Sequence, residues 1–270
     1  IQKFSKKICV VKYGGAAIVE KDLKNGFARD IALMKQVGIN VVVVHGGGPQ
    51  IDKELKKFNI QRNFVDGIRV TDRDTIEVVA NTLNDLVNKE IVSLINSNGG
   101  NSIGLAKNNN NLIRVKKLTS EKIDYGYVGE ITDIDSNYLY DLMNSNYIPV
   151  VAPLGFDENN DIYNINADSA ASAIASNLAA EKLIFLTDQT GVLDEKGNLI
   201  SSLNFNEIEN LISSNVITGG MLPKIKACLN SLKNNVKMAH IVDGRIQHSV
   251  LLEIFTNEGI GTLVKKWLNV

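Results

Sequence analysis

Short Val- and Ile-rich runs alternate along the chain with longer segments in which apolar residues recur every three or four positions. The short runs predict buried strands at 8–13, 40–44, 148–153, 182–187 and 237–242. The longer segments predict amphipathic helices, as where Leu23, Phe27 and Ile31 share one helical face. Strands that alternate with helices are typical of a parallel sheet with helices on both faces. The predicted fold class is therefore α/β, a three-layer α-β-α sandwich around a mostly parallel central sheet.

Capping and glycine signals predict further elements. Thr71 and Asp74 form a capping pair ahead of an apolar pattern that continues to Gly99, which predicts one long helix. Residues 102–135 predict short strands and turns, with a solvated hairpin tip at 108–111. The remaining pattern predicts strands at 162–165 and 261–264 and helices from 166 onward, at 219–234 and at 249–255. Because neither a repeat nor a flexible linker separates the two halves, we expect them to share one sheet.

Composition narrows the classes of function. A hydrophobic fraction of 44% allows a large core, and a net charge of -1 supplies no basic surface for nucleic acid or an anionic membrane. No apolar run approaches the roughly 20 residues that cross a bilayer, and no signal-peptide pattern opens the chain, which predicts a cytoplasmic protein. Heavy use of Asn, Lys and Ile indicates an AT-rich genome such as a plastid's, with the plastid stroma as the alternative location. Cys9 and Cys228 lack a CxxC partner and are predicted to pack in the core.

Three glycine-rich turns lie between a strand and a helix, at Gly14-Gly15, at 46–48 and at Gly219-Gly220. Helix N-termini present unpaired N–H groups, and glycine lets a phosphate approach that backbone closely. A single Gly-Gly turn is more often plain punctuation, but three in one chain favour phosphate binding. The chain contains neither a P-loop nor a clean G-x-G-x-x-G after the first strand, so a different type of nucleotide site is predicted.

Two lysines accompany these turns. Lys12 interrupts an apolar run where a parallel strand reaches its carboxyl end, the edge at which open α/β sheets bind ligands. Lys224 lies in the first turns of the helix that follows Gly219-Gly220. A lone lysine is more often a solvated charge, but an ammonium group at a buried strand end requires an anion. Together the lysines and the glycine turns predict a site for a phosphoryl group.

Six segments resemble, in order and spacing, the amino acid kinase family and within it the acetylglutamate kinase branch. They are 12–15, 44–49, 66–71, 164–168, 186–192 and 219–224. The lysine-glycine start and the Gly-Gly-Met helix are shared by much of the family, whereas the loop at 45–49 and the segment 66–71 point to this branch. The resemblance covers nearly the whole chain.

The resemblance implies a fold, an activity and catalytic residues. It implies the amino acid kinase fold and transfer of the γ-phosphoryl group of ATP to the side-chain carboxylate of N-acetyl-L-glutamate, a step of arginine biosynthesis. Lys12 and Lys224 are then the cations that neutralise the transferring phosphoryl group, and Asp168 holds both ammonium groups in place. Gly15 and Gly47 are expected to donate backbone hydrogens to that group. Because the acceptor carboxylate is already ionised, no catalytic base is expected.

The resemblance also assigns substrate and nucleotide contacts. Arg69 and Asn164 are expected to bind a carboxylate of the substrate, and Gly47 and Gly48 to line its pocket. The expected phosphate and ATP contacts are Gly14, Gly15, Thr187, Asp188, Gly191, Gly219 and Gly220. Mg²⁺ is expected to arrive with ATP, held by phosphate oxygens and water, so no all-protein metal site is expected.

Two further expectations concern the halves and His45. The half at 1–175 is expected to bind acetylglutamate and to form the dimer, and the half at 176–270 to bind the nucleotide. His45 closes a buried strand beside a glycine loop, and we expect it to fix that loop by hydrogen bonding rather than to act as an acid or base.

The C-terminal stretch 248–262 has no evident part in phosphoryl transfer and resembles the signature of arginine-inhibited acetylglutamate kinases. Glu253 can receive a guanidinium group, and the turn with Gly259 and Gly261 exposes carbonyls that could accept its hydrogens. The plain alternative is a helix that packs on the sheet. The resemblance implies a homodimer, with a hexamer linked by N-terminal helices and inhibited by L-arginine in the full-length protein. Only 1–7 precede the first strand, so that helix is expected to be absent from this chain. A PII-type regulator is an expected partner if the source is a plastid or cyanobacterium.

Two alternatives remain open. Another member of the family could act on carbamate, aspartate, the glutamate side chain or a nucleoside monophosphate, but Arg69 and Asn164 in their contexts argue against it. A non-catalytic member could bind a metabolite and only regulate, but it would not need Lys12, Asp168 and Lys224 at one phosphoryl group.

Overall fold

The computed structural model describes residues 5–65, 67–107, 112–256 and 259–266. Its strands are β1 (Ile8–Tyr13), β2 (Asn40–His45), β3 (Phe64–Val65), β4 (Ile68–Arg69), β5 (Ser102–Leu105), β6 (Ile113–Lys117), β7 (Gly129–Ile134), β8 (Ile148–Val151), β9 (Leu154–Phe156), β10 (Ile162–Asn164), β11 (Lys182–Thr187), β12 (Ser202–Leu203), β13 (Met238–Asp243) and β14 (Thr262–Val264). Its α-helices are α1 (Lys21–Gln36), α2 (Gly48–Lys57), α3 (Arg73–Asn81), α4 (Lys89–Ser97), α5 (Ser136–Asn144), α6 (Ala167–Asn177), α7 (Phe205–Ser213), α8 (Met221–Lys233) and α9 (Ser249–Phe255). A 3₁₀ turn at Gly15–Ile18 and a π-helical segment at Thr82–Asn88 complete these elements.

Eight strands form the central sheet in the order β12-β14-β13-β11-β1-β2-β8-β5. All neighbours pair in parallel except β13 and β14, which are antiparallel. One face packs against α1, α4 and α9, and the other against α6 and α8. The predicted α/β class, with a mostly parallel sheet between two helical layers, is confirmed. A four-stranded sheet, β10-β9-β6-β7, and the hairpin β3-β4 lie outside this sheet.

Both halves of the chain contribute to the central sheet, as predicted. The first half supplies β1, β2, β5 and β8, and the second half supplies β11 to β14. The boundary expected between 175 and 176 falls within α6. The assignment of separate functions to the two halves stays a prediction.

The central strands are buried on both faces. Val41, Val42, Val43 and Val44 are fully buried in β2. This explains why these strands appear in the sequence as continuous apolar runs rather than as alternating patterns. Cys9 and Cys228 are also buried, in line with their predicted place in the core. None of the helices in the described ranges is long and apolar enough to cross a membrane.

The predicted long helix is present, but its start and its interior differ from the prediction. Asp72, not Thr71, is the N-cap, because its side chain accepts a hydrogen bond from the Thr75 amide at 2.8 Å. Thr71 is buried in a bridge to Gly126, and its hydroxyl donates to the Arg69 carbonyl at 2.8 Å. The helix then widens into the π-helical segment before α4 continues it. The predicted tip at 108–111 lies outside the described residues.

Candidate active site

Four loops meet at the carboxyl edge of the central sheet. Strand β1 ends between β2 and β11, and all three run in parallel. The Gly46 amide donates to the Tyr13 carbonyl at 2.8 Å, and the Gly244 amide donates to the Thr187 carbonyl at 2.7 Å. The loops that follow β1, β2, β11 and β13 are therefore neighbours at the edge where open α/β sheets bind ligands.

Lys12, Asp168 and Lys224 form one ionic group at this edge, as the sequence predicts. Asp168 Oδ1 lies 2.9 Å from Lys12 Nζ, and Asp168 Oδ2 lies 2.8 Å from Lys224 Nζ. The side chain of Lys12 is 10% exposed and that of Lys224 17%. Asn166 caps α6 by accepting from the Asp168 amide at 2.9 Å, which fixes the carboxylate in the first turn.

This group carries two positive charges and one negative charge. Burial alone would raise the pKa of Asp168, but the charges of Lys12 and Lys224 outweigh burial and hold the pKa below its ordinary value. Asp168 is therefore ionised at pH 7, and each of its oxygens faces one ammonium group. The net charge of the group is positive, so it attracts an anion at the end of β1.

The glycines of the first two loops permit close packing. A Cβ atom on Gly14 would lie 2.8 Å from Lys12 Nζ, and one on Gly15 would lie 3.1 Å from the Asp188 amide nitrogen. Gly15 also has a φ of +66°, a conformation that favours glycine. A Cβ atom on Gly47 would lie 2.7 Å from Leu83 Cδ2, whereas one on Gly48 would meet nothing within 4 Å. Gly47 therefore sits against the π-helical segment, and Gly48 borders open space.

The remaining residues expected to contact the nucleotide lie at or after the end of β11 and at the start of α8, and their surroundings differ from one another. The Thr187 hydroxyl donates to Asp188 Oδ1 at 3.2 Å at the end of β11. Gly219 and Gly220 are exposed at the start of α8, the helix that carries Lys224. Gly191 packs elsewhere, because a Cβ atom there would lie 2.7 Å from Thr262 Oγ1 of β14. All of these nucleotide assignments stay predictions.

The Arg69 side chain is buried beside α2. Its Nη2 donates to Asp52 Oδ1 at 2.6 Å, and its guanidinium carbon lies 4.6 Å from the centre of the Phe64 ring. Its Nη1 is buried without a hydrogen-bond partner among the described residues. Such an unpaired donor is costly unless a ligand accepts from it. The unpaired Nη1 is therefore suited to bind an anionic group.

Asn164 is linked to Arg69 through Thr71. The Asn164 amide nitrogen Nδ2 lies 3.4 Å from Thr71 Oγ1, and the Thr71 hydroxyl donates to the Arg69 carbonyl at 2.8 Å. The two expected substrate residues thus share one network. Asp66, part of the segment that carried the resemblance, lies outside the described residues.

Three polar residues beside these loops were not predicted from the sequence. Asp52 orients Arg69 from one helical turn beyond Gly48, and only its closeness to the glycine loop signals it. Asp243 ends β13 and accepts from Arg245 Nε at 2.9 Å and Nη2 at 2.7 Å. Asp243 has the same sequence signal as Lys12, a charged residue at the end of an apolar strand. Asn88 contacts His45 at 3.0 Å and had no signal of its own in the sequence.

Glu253 has internal partners for both carboxylate oxygens. Oε1 accepts from His240 Nδ1 at 2.6 Å, and Oε2 accepts from the amides of Ile260 at 2.8 Å and Gly261 at 3.2 Å. Burial alone would raise the pKa of Glu253, but the hydrogen bond from His240 and that from Ile260 hold it below its ordinary value. Gly259 is required by its φ of +65° and by the carboxylate beside it. The assignment of these residues to arginine binding stays a prediction.

Residues 7–243 match the Amino acid kinase family, and the chain belongs to that family. It is therefore an ATP-dependent kinase. Within the family it is similar to acetylglutamate kinase of Campylobacter fetus subsp. fetus, with 52% identity over 98% of this chain and 94% of the relative. The predicted family and kinase class are confirmed.

Two solved structures have the same fold. The crystal structure of smu.665 from Streptococcus mutans UA159 matches with a TM-score of 0.82 and 31% identity, covering 96% of this chain and 98% of that chain. N-acetylglutamate synthase from Neisseria gonorrhoeae, complexed with coenzyme A and L-arginine, matches with a TM-score of 0.86 and 22% identity. That match covers 98% of this chain but 63% of the synthase, and it shows the fold alone.

Proposed function

We propose that the chain transfers the γ-phosphoryl group of ATP to the side-chain carboxylate of N-acetyl-L-glutamate, giving N-acetylglutamyl 5-phosphate in the second step of arginine biosynthesis. The observation that carries the proposal is the pairing of a cationic phosphoryl site with a separate buried guanidinium. Arg69 contacts Asp52, which lies one helical turn, about 6 Å, beyond the loop at Gly48. One anion can therefore bind at Arg69 while another reacts at Lys12.

The transfer needs charge neutralisation and alignment, not a base. A carboxylate oxygen of the acceptor forms a bond to the γ-phosphorus while the bond to the β,γ-bridging oxygen breaks, and ADP leaves with those electrons. Lys12 and Lys224 neutralise the charge that spreads over the phosphoryl oxygens. Asp168 keeps the two ammonium groups apart and aligned. Backbone N–H groups of Gly15 and Gly47 supply further donors at the ends of β1 and β2.

Substrate recognition rests on Arg69 and Asn164. N-acetylglutamate carries a second carboxylate that does not react, and the unpaired Arg69 Nη1 is suited to donate a hydrogen bond to it. The Asn164 amide adds a directional hydrogen bond. Asp52 holds the other guanidinium nitrogen, so the fork has a fixed orientation before substrate binds.

Mg²⁺ is proposed to enter with the nucleotide. Across 5–65, 67–107, 112–256 and 259–266, no cluster of three His, Cys, Asp or Glu side chains could hold a metal ion. Both oxygens of Asp168 are engaged by lysines, so this carboxylate fits the role of aligning cations. When bound, Mg²⁺ would neutralise charge on the ATP phosphates, with phosphate oxygens and water as its ligands.

The test is an ADP-release assay with MgATP and one acceptor at a time. N-acetyl-L-glutamate should support turnover, and glutamate, aspartate and carbamate should support far less. Glutamate is the matched control, because it differs only by the acetyl group. Equal or faster turnover with carbamate or aspartate would overturn the proposed acceptor. If none of the four acceptors supports ADP release, the proposed acetylglutamate kinase activity is overturned.

We further propose feedback inhibition by L-arginine at the C-terminal segment. The sequence signature around Glu253 supports this, as does the L-arginine in the structure of the synthase that shares the fold. The associated proposals are a homodimer for this chain, a hexamer for the full-length protein, and a PII-type partner for a plastid or cyanobacterial source. A cytoplasmic location is proposed on the bacterial relatives, with the plastid stroma as the alternative.

Activity of the full-length protein would be titrated with L-arginine, beside Glu253→Gln. Glu253 accepts from His240 and from two backbone amides, so its replacement should loosen the turn at 259–261 and weaken inhibition. Indifference of the full-length enzyme to millimolar arginine would overturn the proposal. An unchanged inhibition curve in the variant would remove Glu253 from it.

A further inference from the structure

Asn88 reaches from the π-helical segment to the carboxyl end of β2. Its Nδ2 lies 3.0 Å from His45 Nε2 and 2.9 Å from the Val150 carbonyl oxygen. Asn88 is 4% exposed, and His45 is fully buried. Both hydrogens of the amide nitrogen are therefore used inside the protein, one on β2 and one on β8.

These contacts fix the proton on the His45 ring. The Val150 carbonyl can only accept, so the nitrogen of the Asn88 amide must face it. The second hydrogen of that nitrogen is donated to His45 Nε2, which must carry a lone pair. Burial lowers the pKa of His45 to about 4, so the ring is neutral at pH 7 and its proton is on Nδ1. Nδ1 lies 2.8 Å from the Gly46 carbonyl oxygen and donates to it.

The Gly46 carbonyl determines where the next N–H group points. No peptide bond in the described chain is cis, so the carbonyl of Gly46 and the N–H of Gly47 point in opposite directions. His45 lies on the sheet face covered by α1 and α4, whereas Lys12 lies on the face covered by α6 and α8. A carbonyl held by His45 therefore turns the Gly47 N–H toward the face of Lys12.

The surroundings are shaped around the same contacts. Leu83, in the same π-helical segment, packs where a Cβ atom on Gly47 would lie. Gly104 of β5 leaves the space that Asn88 Oδ1 fills, because a Cβ atom there would overlap that oxygen. Single π-helical turns within α-helices often occur at functional sites. This segment thus supports the glycine loop both through Leu83 and through Asn88.

We propose that Asn88 is a positioning residue for phosphoryl transfer. By holding His45 in its Nδ1-protonated form, it locks the Gly46 carbonyl and directs the Gly47 N–H at the transferring phosphoryl group. The proposal deepens the kinase function proposed above and rests on it. Asn88 itself touches neither substrate.

Tyr13, Lys89 and Glu90 are the titratable residues adjacent to this pair in strand register or in sequence among the described residues. Tyr13 is the register partner of His45 on β1, and Lys89 and Glu90 follow Asn88 on α4, where both form surface ion pairs. Strand β8, whose carbonyl Asn88 contacts, contains no titratable residue. Because wild type and variant share every other titratable group, a pH effect that appears only after substitution of Asn88 can be assigned to the substituted pair.

The test is Asn88→Asp, which keeps the shape and removes the donor. At pH 8 the introduced carboxylate can only accept, so the ring proton should move to Nε2 and the Gly46 carbonyl should lose its donor. We expect kcat at pH 8 to fall by about 100-fold, the scale for one transition-state hydrogen bond, with KM for N-acetylglutamate little changed. At lower pH a proton shared with the ring restores the donor on Nδ1. The kcat ratio of wild type to variant should therefore shrink as the pH is lowered to 6.

Asn96→Asp is the matched control. Asn96 lies further along the same long helix, in α4, and its amide donates to the Ser102 carbonyl of β5, so the substitution removes a donor and leaves His45 untouched. Gly104→Ala is a second variant, which displaces Asn88 without adding a titratable group and should lower kcat equally at all pH values. Wild-type kcat in Asn88→Asp, or a loss that does not vary with pH, would overturn the proposal. If Asn88→Asp does not fold, a wild-type kcat in Gly104→Ala overturns it.

The ring proton also has a readout that needs no activity. Long-range ¹⁵N–¹H NMR spectra of His45 should show Nδ1 protonated in the wild type and Nε2 protonated in Asn88→Asp at pH 8. A Nε2-protonated ring in the wild type would overturn the positioning proposal. Absence of ADP release by the wild type, with the expected tautomers present, would instead count against the proposed kinase reaction.

Discussion

The Asp168→Asn substitution distinguishes two possible roles of Asp168, which are to align Lys12 and Lys224 for catalysis or only to stabilise the fold. The substitution keeps the shape of the side chain but leaves two buried ammonium groups without their shared counter-charge. Loss of one partner from a buried ion pair costs about 3–5 kcal/mol. For a chain of this size, about 2–4 °C of Tm is lost per kcal/mol. We therefore expect the Tm of the ligand-free variant to fall by about 10 °C.

The kinetic effect should differ between the two Michaelis parameters. Misaligned lysines should lower kcat by about 100-fold or more, because the transition state depends on their position. KM for ATP should stay the same or fall, because the variant site has one more net positive charge for the phosphates. ATP should also restore more Tm to the variant than to the wild type, since its phosphates supply the missing anion.

Steady-state ADP release and thermal melting with and without MgATP measure these quantities. Asp30→Asn is the control, because it neutralises another buried carboxylate, which accepts from His248 Nδ1 at 2.6 Å away from the lysines. It should lower Tm and leave kcat unchanged. An Asp168→Asn enzyme with lowered Tm but kcat within about threefold of wild type would refute the alignment role.

Three further outcomes are expected. Lys12→Ala and Lys224→Ala should each lower kcat by about 100-fold or more with the fold retained; near wild-type kcat in a folded variant would remove that lysine from the chemistry. Arg69→Lys keeps the charge but loses the fork, so KM for N-acetylglutamate should rise by about 10–100-fold; an equal rise in KM for ATP would place Arg69 in the general architecture. Burial lowers the pKa of His45 to about 4, while the unfolded residue titrates near 6.5. The unfolded state therefore binds more protons between these values, and about 3 kcal/mol of unfolding free energy should be lost from pH 6.5 to 4; urea titrations of His45→Asn should lack that part of the loss.

The sequence predicts those elements whose signals are local. Strands 8–13 and 182–187 have the expected bounds, because both are continuous apolar runs in the centre of the sheet. Helices α5 and α7 were missed, although Asp135 caps the first and Asn204 the second. Each has nine residues with polar residues between its apolar positions, so its period is weak, whereas the shorter α9 is almost entirely apolar and was predicted.

The residues of the candidate site also differ in whether a local sequence signal predicts them. Lys12 and Lys224 could be found because each stands beside a glycine turn at a predictable strand end or helix start. Asn88 could not, because its partner His45 is 43 positions away. The π-helical segment also shifts the helical phase by about 100°. A regular period drawn through the long helix therefore cannot identify the face on which Asn88 lies.

The position of β1 has a consequence for how acceptor preference can change. Its neighbour on one side, β2, leads into the glycine loop and α2, and its neighbour on the other side, β11, leads into the expected nucleotide loop. In the reaction proposed above, the acceptor loop and the nucleotide loop are thus separated only by β1, which lies about 5 Å from each of the two neighbouring strands. Residues on the β2 flank, such as Asp52 and Arg69, can be exchanged without rebuilding the β11 flank. A library of variants with substitutions only on the β2 flank is therefore where we expect a kinase with a new acceptor to be found.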